Sequence, residues 1–335
     1  MRLRLLPFLL IANIISIGCG GPTQVSGGAA VPASSIPAAA QAVGYTTHTF
    51  STTNFTASNV DTGLTYNRGY QWYFSNFFNT QGSTSGTTLN ADGTISNGNL
   101  RDANGNLIAK GSNGAVASIG AIPSSPYFVG TAFGCGGYFT AEIVFDPAAN
   151  MPDDAGWQSW WSMSHEHLTV VQNYSADHWT GQTPAYKHFG EVDFFEWLRG
   201  GDTFQSALHD WYGNFNQTCD PGSYVYCNVA SNPDSVGKPA QIDWTVYHRY
   251  AALWVPATST TQGYVKFFFD DVNYGSTFYW SQYTNQPPVP TTSSPWLYGI
   301  IDQQHLALLF GSGSSPMTVR SIDVWQGDGA CNVTN

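Results

Sequence analysis

The sequence predicts an all-β fold, a jelly-roll sandwich of two antiparallel sheets, on three observations. The 335-residue chain contains 35 Gly, 12 Trp, 18 Tyr and 20 Phe, a composition of short strands, many turns and abundant flat aromatic surface. Segments rich in Thr, Ser and Tyr are bounded by Gly, Asn and Pro, which is how strands closed by turns read. Long helical periodicity is absent. A chain of this length accommodates one large β domain, and two layers that each bury one face against the other are what such strands can build.

The elements follow from the amino terminus. Met1-Arg2-Leu3-Arg4 is a short basic region, and residues 5–17 form an apolar run too short for a stable membrane span. The run ends in Ser16-Ile17-Gly18-Cys19, which resembles a bacterial lipobox with Ser16 where Leu is usual. That resemblance implies a lipoprotein-type signal peptide over residues 1–18 and a lipid anchor at Cys19; ordinary secretion with cleavage near Gly18 or later is the alternative. Either way the protein is expected to be exported, to the cell envelope if lipidated. Residues 19–44, rich in Gly, Ala, Ser and Pro, read as a flexible linker, leaving residues 45–335 as the folded domain, expected to be a monomer. Without Cys19, four cysteines remain: Cys135, Cys219, Cys227 and Cys331. An even number in an exported chain predicts disulfides. Cys219 and Cys227 could close a loop while Cys135 and Cys331 staple an early strand to the tail, but all three connectivities stay open. No C-x-x-C or H-x-x-x-H pairing accompanies these cysteines, so no cysteine zinc site is expected.

Chemistry concentrates in Glu191-Val192-Asp193-Phe194-Phe195-Glu196, which places three carboxylates in six residues of a chain that is only 10% charged. Side chains alternate along a strand, so Glu191 and Asp193 share a face while Glu196, five positions after Glu191, points the other way. A bulge near Phe194-Phe195 inserts one extra residue and brings all three acids to one face. An edge strand with solvated acids is the plainer reading, but Val192, Phe194 and Phe195 are core residue types alternating with those acids. Paired carboxylates are the working groups of glycoside hydrolysis.

The E-x-D-x-x-E pattern of Glu191, Asp193 and Glu196 resembles the active-site motif of glycoside hydrolase family 16, the group of laminarinases, agarases and carrageenases. Four further segments are similar to family strands and occur in the family's order: Gly137–Ile143, Gly156–Met163, Tyr247–Trp254 followed by Phe267–Asp270, and Pro316–Gln326. The resemblance covers roughly residues 45 to 327. It implies a retaining glycoside hydrolase with Glu191 as nucleophile, Asp193 as the assisting carboxylate and Glu196 as acid/base. A β-1,3- or mixed-linkage β-glucan is the expected substrate, with endo cleavage. A transglycosylase would use the same residues. A carbohydrate-binding protein on the same sandwich would have no need of three acids on one face.

Aromatic and histidine side chains are the candidates for sugar contact. Trp160 and Trp161 are adjacent, so one is expected in the core and the other on the groove. Trp157, Trp179, Trp197 and Trp211 are further platforms, with about half of this set expected in the core, since tryptophan serves both roles. His209 either touches the acid/base residue or the sugar, or is a hydrogen-bonded structural histidine. His165-Glu166-His167 invites a metal reading, but a polar loop edge is the expectation. No cofactor is expected. Many relatives hold a structural calcium partly through an Asp of the final strand, whereas Arg320 stands at that position. The run 171–187 resembles an insertion that reshapes the groove. Net charge is −11 with only 11 Lys and Arg, which favours a neutral polysaccharide over polyanions and excludes nucleic acid as partner.

Overall fold

The computed structural model describes residues 36–335 except 75–76, 78–81, 103, 110–115, 124, 126, 148–150, 152–153, 155–156, 170–184, 199–203, 215–225, 232–241, 284–293 and 312. The segment expected to be a signal peptide, Cys19, Trp179, Cys219 and most of the insertion-like run lie outside the described residues.

Two antiparallel sheets form the body. The eight-stranded sheet runs in the order Val272–Trp280, Gly263–Phe269, His248–Val255, Gly137–Val144, Met317–Gln326, Ile95–Asn97, Thr87–Leu89, with Thr47–Thr52 also paired to Met317–Gln326. The seven-stranded sheet runs Cys227–Ser231, Phe204–Asn214, Tyr186–Leu198, Trp157–Ser164, Leu306–Phe310, Val116–Ala117, Tyr73–Phe74. This is the sandwich expected from the sequence. Its core is strongly aromatic. Phe139 of one sheet stacks on Phe194 of the other at 5.8 Å, and Phe195 meets Tyr250 at 4.5 Å. Such ring pairs add directional attraction to the area they bury. Strand ends are set by turn chemistry: Asp270 and Asp271 both take positive φ, 48° and 64°, the mirror-image turn whose twist matches a two-residue hairpin. The Asp270 carboxylate holds that turn by accepting from the Arg249 backbone N–H at 2.8 Å and pairing with His248 Nδ1 at 2.8 Å.

The linker expectation fails at its carboxy-terminal end. Residues 36–44 include a short helix, Ala38–Gln41, whose Ala40 is fully buried. Ile36, Ala39 and Val43 pack with it against Tyr138, Leu253 and Trp325 on the outer face of the eight-stranded sheet. Small apolar residues that read as tether composition here cover a sheet face that needs covering. Cys135 and Cys331 form a disulfide spanning 196 residues. Cys227 is also disulfide-bonded.

Candidate active site

The Tyr186–Leu198 strand lies between Phe204–Asn214 and Trp157–Ser164, and its register shifts within the acidic motif. Asp193 pairs with Ala207 and Glu196 with Gln205, so Phe194 and Phe195 together oppose the single residue Ser206. On the other side Trp161 pairs with Asp193 and Trp160 with Phe195. The extra residue lets both phenylalanines enter the core, 1% and 0% exposed, while Glu191, Asp193 and Glu196 come out on the opposite face. A bulge frees a backbone carbonyl from the ladder. Here Ser206 Oγ donates to Phe194 O at 2.7 Å and meets the Tyr274 hydroxyl of the other sheet.

The neighbouring strand supplies partners in register. Glu191 lies opposite His209, and Trp211 Nε1 donates to Glu191 Oε2 at 2.7 Å. His209 Nε2 lies 3.0 Å from Asp193 Oδ2, and the Asn228 amide contacts its Nδ1 at about 3 Å. Gln205 Nε2 donates to Glu196 Oε2 at 3.1 Å. Glu191 and Asp193 share a hydrogen bond. The Trp157–Ser164 strand reaches only as far as Glu191; beyond it, the Gln304 side chain continues the ladder. Gly190 N–H donates to Gln304 Oε1 at 3.0 Å, and Gln304 Nε2 donates to His188 O at 2.8 Å. His188 and Asp210, both buried, pair beneath that strand, and Asp210 Oδ2 accepts from Tyr298 N–H at 3.2 Å.

Electrostatics follow from crowding three acids in a buried place. Burial raises the Glu191 carboxyl well above its usual range, and the charge on Asp193 raises it further, against the opposing pull of His209 and Trp211. Burial and then the charge on Glu196 raise Asp193. Glu196 is raised as well, chiefly by burial, with the Gln205 hydrogen bond opposing. Burial by itself would lower His209, but its hydrogen bond to Asp193 and the charges of Asp193 and Glu191 outweigh that and raise it to about 9. The cluster therefore keeps protons near neutrality: an imidazolium beside Asp193 and a shared proton between Glu191 and Asp193.

The tryptophans divide by face. Trp160 and Trp197, read as sugar platforms, are core residues at 0% and 2% exposure. The bulge is the reason: Trp160 sits directly opposite Phe195, and directly opposed residues share a face, while Trp197 packs against Phe145 and Trp244. Trp161 emerges on the acids' face, packed among Met163, Phe189 and Leu309, so it forms a wall there. Trp157, half exposed, lies on that same face beyond Trp161, and Trp211 stacks between His209 and Phe189. His209 neighbours Asp193, the middle acid. Gln205, Ser206, Asn228 and Gln304 escaped the sequence reading. Their roles depend on register across strands distant in sequence, and amides and hydroxyls carry no motif of their own.

Two other places bear on the sequence reading. His165 and Glu166 are buried in a four-residue helix, His165–Leu168, and do not form a polar loop edge. His167 stacks on Phe189 at 3.5 Å, where burial lowers its imidazole to about 3. Arg320 Nε donates to Glu142 Oε2 at 2.8 Å, and its guanidinium lies 4.4 Å from the Tyr247 ring centre. A side-chain cation already pairs with the acid at that place, so these residues do not fit a calcium ion.

No protein-family model matches this chain, and no curated protein matches it. Among solved structures, the chain is similar to an endo-1,3-beta-glucanase from Streptomyces sioyaensis, with 15% identity, a TM-score of 0.39 and coverage of 85% of this chain and 88% of that one. It is similar to the kappa-carrageenase from Pseudoalteromonas carrageenovora at 12% identity and a TM-score of 0.38, over 72% of this chain and 82% of that one. The Emp46p carbohydrate recognition domain gives 9% identity and a TM-score of 0.35, over 77% and 89%.

Proposed function

We propose that this chain is a retaining, endo-acting glycoside hydrolase of a neutral extracellular polysaccharide, a β-1,3- or mixed-linkage β-glucan. The observation that carries the reading is the bulge at Phe194-Phe195, which sets three acids on one face beside the His209 imidazole and an indole donor. Burying three carboxylates together is unfavourable, and carbohydrate binding alone gives no reason for it. The preference for a neutral glucan rests on the motif's family resemblance and the net charge of −11. Export and attachment through Cys19 belong to the same proposal and rest on the sequence of residues 1–19.

In this mechanism the ionised Glu191, oriented by its hydrogen bond to Asp193, attacks the anomeric carbon. The bond to the leaving oxygen breaks as Glu196 protonates it, giving a glycosyl ester on Glu191. Water then attacks the same carbon, Glu196 takes its proton, Glu191 departs, and configuration is retained. His209 holds Asp193 and balances its charge. Trp157 offers the exposed ring for stacking.

A reducing-end assay of the purified protein on laminarin, mixed-linkage β-glucan, agarose, carrageenan and xyloglucan tests the proposal. Activity on a neutral glucan is expected, with NMR detecting the retained anomer first. Glu191→Gln and Glu196→Gln should each lower kcat by several orders of magnitude while circular dichroism is unchanged. Normal activity in either variant would sink the role assignment. Silence on every polymer, with binding retained in affinity electrophoresis, would replace hydrolysis by binding; chain-length redistribution without new reducing ends would replace it by transglycosylation.

A further inference from the structure

We propose that His165, Glu166 and His305 form a divalent-metal site for zinc or a similar first-row ion. Such an ion would tie the end of the Trp157–Ser164 strand to the start of the Leu306–Phe310 strand. One ligand atom from each of the three residues lies within 4.8 Å of the other two. His305 Nδ1 is 2.6 Å from Glu166 Oε1, and His165 Nδ1 is 3.2 Å from Glu166 Oε2. Two imidazoles and one carboxylate are a donor set that suits zinc and leaves one coordination position for water. The side chains of His165 and Glu166 are 0% exposed while that of His305 is 21% exposed, so entry and the fourth ligand come from the His305 side.

The surroundings are those of a built site. The described ion pairs of Glu166 are both to imidazoles, and an ion bound among the three would exchange those contacts for ligand bonds. Ser164 Oγ donates to Glu166 Oε2 at 2.9 Å, and the His305 N–H reaches the same oxygen at 3.1 Å, orienting the carboxylate. Phe128 lies 4.8 Å from the His165 ring. Gly134 approaches so closely that a Cβ there would meet His305 Cδ2 at 2.6 Å and Cys331 Sγ at 2.8 Å. The His305 ring is thus held beside the Cys135–Cys331 disulfide.

The test uses the full chain, stripped with a chelator and dialysed, then titrated with zinc alone. One tightly held equivalent is expected by elemental analysis. At a hundredfold excess over Kd the ion should raise Tm by roughly 5 °C, since it binds only the folded state. The Glu191–Asp193–His209 cluster offers three donors of its own, so the variants must separate the two places. His305→Ala should lose the equivalent and His209→Asn should keep it. X-ray absorption of the zinc-loaded wild type, which needs no variant to fold, should count two imidazoles; the carboxylate cluster could supply one. Failure of the wild type to retain zinc, a single imidazole in its spectrum, retention by His305→Ala or loss in His209→Asn would each overturn the proposal.

Discussion

Replacing Trp211 by Phe isolates one interaction with the proposed nucleophile. The indole donates to Glu191 Oε2 at 2.7 Å while lying nearly parallel to His209 and Phe189, at 16° and 13°. A phenyl ring keeps those stacks and removes the donor. A hydrogen bond to a charged, half-buried acceptor contributes about 1.5–3 kcal/mol, which corresponds to a rise of roughly 1–2 units in the Glu191 pKa. Glu191 is already raised by burial and by Asp193, with this hydrogen bond among the opposing terms, so the substitution adds to the existing shift. Attack requires the ionised form. The acid limb of the kcat/KM profile should therefore move up by about 1–2 pH units, with activity below the limb reduced on the order of 10–100-fold. Activity should recover partly on the alkaline side, until Glu196 loses the proton it must donate. Initial rates from pH 4 to 9 would show this. An unmoved limb, whatever happened to the absolute rate, would refute the assignment of Glu191 as the group that must ionise.

The other predictions concern stability and binding. His209 titrates near 6.5 when unfolded and near 9 in the fold, so it contributes up to roughly 3 kcal/mol below pH 6.5, lost as pH rises through 9. The raised carboxyls of Glu191, Asp193 and Glu196 act with the same sign; Tm should fall from pH 6.5 to 9 and fall less steeply in Glu191→Gln, and a flat wild-type curve would contradict this. Trp160→Ala, emptying a site that is 0% exposed, should cost about 3–5 kcal/mol in denaturant unfolding. Trp157→Ala, at a site 50% exposed, should leave stability unchanged and weaken polysaccharide affinity instead. Reduction of Cys135–Cys331, which closes 196 residues, should cost about 5 kcal/mol by loop entropy, read as a lower Tm in the presence of reductant.

What could be read from the sequence was the pattern internal to one strand. Three acids alternating with Val192, Phe194 and Phe195 demanded either a bulge or a split between faces, and the spacing placed the bulge where the register shift occurs. Which tryptophans face the acids was not legible by the same means. Trp160 and Trp161 differ by one position, and parity alone says only that they part. The side each takes depends on pairing with Phe195 and Asp193 across a segment of 31 residues or more. Residues 36–44 misled for a related reason: Ala and Val next to a Gly/Ser-rich stretch look like linker until a sheet face requires cover.

The bulge also explains why the site's accessory residues are where they are. Inserting one residue at Phe194-Phe195 displaces a carbonyl from the ladder, and a hydroxyl at Ser206 takes it. Because Ser206 faces inward, its neighbour Gln205 must face outward, and there it donates to Glu196. The same alternation carries outward His209 and Trp211, which reach Asp193 and Glu191. One backbone irregularity thus sets the parity of two strands, and each acid of the motif receives a different partner from the second strand. A substitution that abolished the bulge would turn Glu196 into the apolar layer occupied by Phe139 and Trp160, where an unpaired carboxylate costs several kcal/mol. The fold and the proposed chemistry consequently depend on the same extra residue, and neither can be altered at Phe194 without the other.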